Sequence, residues 1–168
     1  CCLAKVARAD SASEQLAALF RDSWEFSLSE DPLFATHAGD HRYNDRLPRV
    51  TVADEVRRIE ADKKFLARLQ AISRDDLSPS ERTNYDIFAR LKRDAIADGD
   101  FRAYLMPITN RSGFHVSFPE LPLHTPLTTA ADYESYVARL RAFDQYTDDH
   151  LALLREGIRQ GYTLPGVV

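Results

Sequence analysis

His37 and His41 stand four residues apart in His-Ala-Gly-Asp-His, the separation that places two metal ligands on one helix face. A zinc peptidase helix also needs Glu directly after the first His as general base, and Ala38 occupies that place. Gly39 lies between the two imidazoles and is expected to end the turn there, so loop histidines bonded to nearby backbone are the simpler reading. The run Asp40-His41-Arg42-Tyr43-Asn44-Asp45-Arg46 is dense in hydrogen-bonding side chains. It suits a structural knot in which Arg42 or Arg46 pairs with Asp40 or Asp45 and holds the loop against the helices. The other reading is substrate contact, with His41 and Tyr43 as the candidate residues.

A second polar cluster reads Asn110-Arg111-Ser112-Gly113-Phe114-His115. Ser112 and His115 have the residue types of a nucleophile and its base. No nucleophile-elbow pattern surrounds the serine, however, and no acid can be assigned to orient the imidazole. Gly113 lets backbone approach a ligand closely. Asn110, Arg111, Gly113 and His115 are therefore candidate cleft-lining residues, with plain loop structure as the alternative. His124 and His150 read as surface or satisfied core histidines, and Asp75-Asp76 and Asp148-Asp149 as solvated charge. No catalytic group and no metal ligand is assigned to this chain.

The elements that must position these clusters read as helices. Ser11 with Glu14 is a capping box, and Leu16, Leu19, Phe20, Trp24 and Leu28 mark one face of a first helix. Asp31-Pro32 starts a short turn that stops at Gly39. Thr51 caps a second long helix with Val52, Val56, Ile59, Leu66, Leu69 and Ile72 inward. Ser78-Pro79-Ser80-Glu81 starts a third, with Tyr85, Phe88, Leu91, Ala95 and Ile96 inward and Gly99 as its end. Residues 128–161 read as one continuous helix of about eight turns, capped by Thr129 and closed by Gly161. Its apolar stripe is Tyr133, Tyr136, Val137, Leu140, Phe143, Thr147, Leu151, Leu154 and Ile158. Between the third helix and this one, Pro107, Pro119, Pro122 and Pro126 exclude a continuous helix. The apolar content of residues 100–127 argues against a linker, so an extended wrap is expected, with a short strand around residues 115–118. The expected fold is all-α: an antiparallel helical bundle with one long C-terminal helix and an extended Pro-rich apolar wrap at about 100–127.

At 168 residues, with 44% hydrophobic and 29% charged side chains, the chain suits one globular domain at residues 11–168 behind a tether at residues 1–10. A net charge of −4 with no basic stripe excludes nucleic acid as an expected partner. Cys1 and Cys2 are adjacent and cannot staple the fold. They suit a processed lipoprotein, with a cysteine as lipid attachment point, or the tail of a signal peptide. Both readings favour export to the cell envelope, and a cytoplasmic chain is the alternative. Any membrane association is expected through such an anchor alone, since no apolar run is long enough to span.

Several stretches together resemble a large bacterial family, domain-of-unknown-function family 885. They are Asp31-Pro32-Leu33-Phe34-Ala35-Thr36, Gly39-Asp40-His41-Arg42-Tyr43-Asn44-Asp45, Leu77-Ser78-Pro79, Asn84-Tyr85-Asp86, Asp132-Tyr133-Glu134-Ser135-Tyr136, Ala138-Arg139-Leu140, Leu154-Arg155-Glu156-Gly157-Ile158, Gly161-Tyr162 and Pro165. The resemblance covers about residues 16–168, in order. It implies a mostly helical protein of several hundred residues, often exported or lipid-anchored, that looks like a zinc metallopeptidase with a His-Glu-x-x-His-type helix in its C-terminal half. On that footing this chain is the N-terminal portion, a wall or lid of the substrate cleft with no reactive centre of its own. Its expected partners are the C-terminal half of the same protein and a peptide substrate, and zinc belongs to the full-length protein. A free-standing helical binding or scaffold module of the cell envelope is the competing reading. Apolar surface left exposed on the long helix or on residues 114–123 is the expected sign of a missing neighbour.

Overall fold

The computed structural model describes residues 11–109 and 111–166. The N-terminal tether with Cys1 and Cys2, and Asn110 in the second polar cluster, lie outside the described residues. Seven α-helices follow in order: α1 (Ala12–Glu30), α2 (Pro32–His37), α3 (Val52–Gln70), α4 (Pro79–Asp100), α5 (Phe114–Ser117), α6 (Ala130–Arg141) and α7 (Phe143–Gln160). Single 3-10 turns at His41–Tyr43, Arg74–Asp76, Ala103–Leu105 and Phe118–Leu123 complete the described structure. The fold is all-α.

Local chemistry starts α1, α2, α3, α4 and α6 where the sequence places them. Ser11 and Glu14 close a reciprocal capping box on α1, and Ser78 and Glu81 do the same on α4. Thr51 accepts from Asp54 at the head of α3, and the Asp31 carboxylate accepts from the Leu33 and Phe34 amides at the head of α2. On α6, Asp132 accepts from the backbone amides of Thr128 and Thr129 at 3.0 and 2.8 Å. The Thr129 amide and hydroxyl, and then those of Thr128, hold its carboxyl down at about 2. Because this folded value lies below the ordinary 3.8, the cap stabilises α6 fully above that value and is lost as pH falls toward about 2. Wild-type protein should therefore lose denaturant resistance more steeply than Asp132→Asn across that window. Urea midpoints at stepped pH measure it, and parallel slopes would remove Asp132 from the acid response.

Packing of α1, α3 and α4 is set by pairs that run in opposite registers. Glu30 meets Arg57, Phe26 meets Phe65, and Asp22 meets Arg68, so α1 is antiparallel to α3. Ile59 touches Gly99 and Asp62 pairs with Lys92, so α3 is antiparallel to α4. Leu16, Leu19, Phe65, Leu69, Ile72, Leu77 and Ala89 make the shared core. The inward faces are narrower than apolar spacing suggests: Trp24 on α1, Val52 and Val56 on α3, and Leu91 on α4 are exposed. Gly99 does not end α4. It is a point of close approach, where a Cβ would lie 2.5 Å from the Ile59 side chain, and the stop falls after Asp100. Arg102, in the left-handed region at φ 55°, turns the chain away.

Among the described residues of the expected wrap at about 100–127, irregular chain at 106–109 and 111–113 alternates with short helical pieces. The helical pieces are Ala103–Leu105, α5 and Phe118–Leu123, and where a strand is expected at residues 115–118 the chain is α5 followed directly by the Phe118–Leu123 turn. Phe118 stacks on Phe143 at 3.9 Å and Phe114 lies 4.2 Å from His150, which seats these turns on α7. The long C-terminal helix is bent at Ala142 into α6 and α7. Gly161, at φ 81°, closes α7 as the sequence predicts.

The buried face of α7 is Tyr146, Asp149, His150, Leu153 and Gly157. It is shifted by one residue, about 100° of rotation, from the apolar stripe read in the sequence. Tyr133, Val137, Leu140, Leu151 and Ile158 of that stripe face outward, Ile158 being 67% exposed. Leu123 in the preceding turn is 79% exposed.

Candidate functional site

Arg139 of α6 is 0% exposed and binds no carboxylate among the described residues. Its guanidinium donates instead to four neutral acceptors: the carbonyls of Pro32 (2.9 Å), Tyr43 (3.1 Å) and Arg46 (2.9 Å) and the Thr36 hydroxyl (2.6 Å). Thr36 also bonds the Asn44 amide oxygen at 2.7 Å. Burial pushes the guanidinium down to about 10, against the pull of Asp45 and Asp31. One side chain thus ties α2 and the polar loop to α6. The loop's own ion pairs finish the knot: Arg42 bonds Asp40 and reaches Glu25 on α1, and Arg46 lies 3.4 Å from Asp45. Asp149 is buried rather than solvated, held by Arg49 at 2.8 Å and Gln145 at 2.8 Å. That pair ties the end of the loop to α7.

Between the pinned loop, the helices α1, α3 and α4, and the head of α7 lies a groove of about 580 Å³. Phe26, Leu33, Phe34, Pro48 and Val50 give it apolar walls. Its polar lining is ordered by Arg58, whose Nε donates to Glu30 at 3.2 Å and Nη1 to Glu55 at 2.6 Å, while its third nitrogen donates to the Arg49 carbonyl. Burial pushes the Glu55 carboxyl above its ordinary value, which Arg58 opposes. Tyr146 of α7 also lines the groove, and burial pushes its phenol up to about 12. These residues come from five segments of the chain, so no local motif announces the groove.

Residues 32–168 match the family described as bacterial protein of unknown function (DUF885). The chain belongs to this family. The matched span begins at α2, so it takes in the Arg139 pin and its acceptors in full while α1 precedes it. No curated protein and no solved structure matches the chain.

Within this DUF885 chain the two polar clusters occupy separate places. His41 and Tyr43 share one 3-10 turn, where Arg42 and Arg46 each lie 5.4 Å from the Tyr43 ring. His41 is exposed and Tyr43 half-buried. Arg111 and His115 are exposed and Gly113 half-buried beside α5. A Cβ on Gly113 would meet the His115 ring at 2.8 Å, so glycine there makes room for that imidazole. Ser112 bonds the Thr109 hydroxyl at 2.8 Å rather than His115. None of these candidates lines the groove. His37 ends α2 and packs edge-on to His124 at 5.2 Å, with Gly39 at φ 86° separating it from His41. His150 is buried with Nδ1 2.8 Å from the Tyr146 carbonyl. Among the described residues, no group of three or more His, Cys, Asp and Glu is placed to hold a metal ion. Among the same residues, no helix is long and apolar enough to cross a membrane.

Proposed function

We propose that this chain forms the helical wall or lid of the substrate cleft in a larger, exported, zinc-dependent peptidase of the DUF885 family. The metal and general base lie on a neighbouring part of that protein, and a peptide is the substrate. The observation that carries the reading is the outward stripe of Tyr133, Val137, Leu140, Leu151 and Ile158. Apolar residues at helical spacing are normally turned inward, and a run of them facing out on two successive helices suits burial against a partner surface. The groove beside Tyr146 gives such a wall something to contribute to binding. A cysteine at the N-terminus would fix the protein to a membrane through lipid, and mass spectrometry of the mature N-terminus reads that directly.

Zinc content and peptide hydrolysis test the proposal. The 168-residue chain should carry far less than stoichiometric zinc and cleave no peptide. The product of the gene read beyond Val168 should contain a His-Glu-x-x-His sequence, bind zinc and lose hydrolysis to a chelator. Chelator-resistant cleavage by the chain alone, or stoichiometric zinc held by its own histidines, would overturn it.

A further inference from the structure

Tyr146 carries a polar group that the protein leaves without a partner. The residue is 9% exposed, and its ring is locked edge-on against His150 at 4.4 Å and Phe114 at 5.9 Å. It lines the groove, yet its hydroxyl makes no hydrogen bond to any described residue. The ring is buried, but the hydroxyl is not one of the buried unpaired polar atoms among the described residues, so it opens onto the groove and can bond what enters there.

The charge around it says what that is. Four carboxylates, Glu30, Asp31, Glu55 and Asp62, line the groove against two cations, Arg58 and Lys92. Glu30 is taken up by Arg57 and Arg58, and Asp62 by Lys92 at 2.6 Å. Glu55 gives one oxygen to Arg58, and Asp31 gives one to the α2 amides. The second oxygen of each has no hydrogen bond among the described residues. An anion entering here would meet excess negative charge, and a neutral group would leave those oxygens unanswered. We propose that the groove binds an organic ammonium bearing an aromatic or branched aliphatic group. The ammonium donates to the Tyr146 hydroxyl and the free oxygens of Glu55 and Asp31, and the apolar body rests on Phe26, Phe34 and Val50. This is a property of the groove itself and holds whether or not a metal-bearing half completes a peptidase.

Calorimetric titration with phenethylammonium tests it, with phenethyl alcohol and hydrocinnamate as probes that share the ring but not the charge. The ammonium should bind at about 1 mM or tighter, the alcohol about tenfold more weakly, and hydrocinnamate more weakly again. Tyr146→Phe, which keeps the ring packing, should weaken the ammonium about tenfold. Glu55→Gln should do the same independently, should the first variant fold poorly. Phenylalanyl-glycinamide binding more tightly than phenethylammonium assigns the amine to a peptide N-terminus, and equal affinity assigns it to a small amine. Equal binding of alcohol and ammonium, no binding of any probe at about ten times that concentration, or unchanged affinity in folded variants would overturn the assignment.

Discussion

Replacing Arg139 by methionine should lower the unfolding free energy by about 3–4 kcal/mol. Methionine restores much of the volume and removes a charge that was costly to bury, so in some proteins such a change is neutral. Here the partners decide the sign. The Arg46 carbonyl loses its donor outright, while the Pro32 and Tyr43 carbonyls lose one donor each and keep the Thr36 hydroxyl and the Arg46 amide. Each buried acceptor left unpaired costs about 1–3 kcal/mol, and relaxation of the loop toward water recovers part of the sum. Arg139→Lys should recover only part of the loss, because three acceptors converge on Nη2 but the Arg46 carbonyl is reached from Nε, and an ammonium has no second nitrogen to serve it. Urea denaturation measures both. A loss below about 1 kcal/mol for either variant would mean that the loop does not depend on this pin.

Gly157→Ala should destabilise by about 2–3 kcal/mol, although helix propensity alone argues for a gain of about 1 kcal/mol. The two expectations differ in sign, which makes the experiment decisive. A Cβ at residue 157 would lie 2.5 Å from the Leu105 carbonyl oxygen. That atom is backbone, so it yields only if the Ala103–Leu105 turn lifts from α7 and uncovers Leu105, a fully buried residue. Gly99 supplies the contrast within the same fold. Its close neighbour is the Ile59 side chain, which can rotate, so alanine there should cost less. Thermal melts of both variants measure the difference, and a stabilised Gly157→Ala would refute the packing described for α7.

Helix starts were legible in the sequence because capping is local. Ser11 with Glu14, Ser78 with Glu81, and Thr129 with Asp132 each close a capping box within four residues of chain. Which face turns inward is a different matter, since it depends on what arrives from elsewhere. On α7 the inward positions include Tyr146, Asp149 and His150, polar residues that only tertiary partners such as Arg49 and Phe114 make suitable for burial. Spacing alone selects their apolar neighbours one position on. Arg139 was hidden for the same reason. It lies in the Ala138-Arg139-Leu140 stretch that carries the family resemblance, but nothing local distinguishes a buried arginine from a solvated one before its acceptors, 93 to 107 residues away, are in place. The bend at Ala142 has no proline or glycine to announce it. The groove was illegible because it exists only once five segments meet.

The claim on which the functional reading turns is that the outward stripe of α6 and α7 is covered in the intact protein. Hydroxyl-radical footprinting measures this side chain by side chain, comparing the 168-residue chain with the protein purified from its native host. The account predicts strong labelling of Tyr133, Leu140, Leu151 and Ile158 in the chain alone and marked protection of the same residues in the native protein. Equal labelling of those residues in both would contradict it.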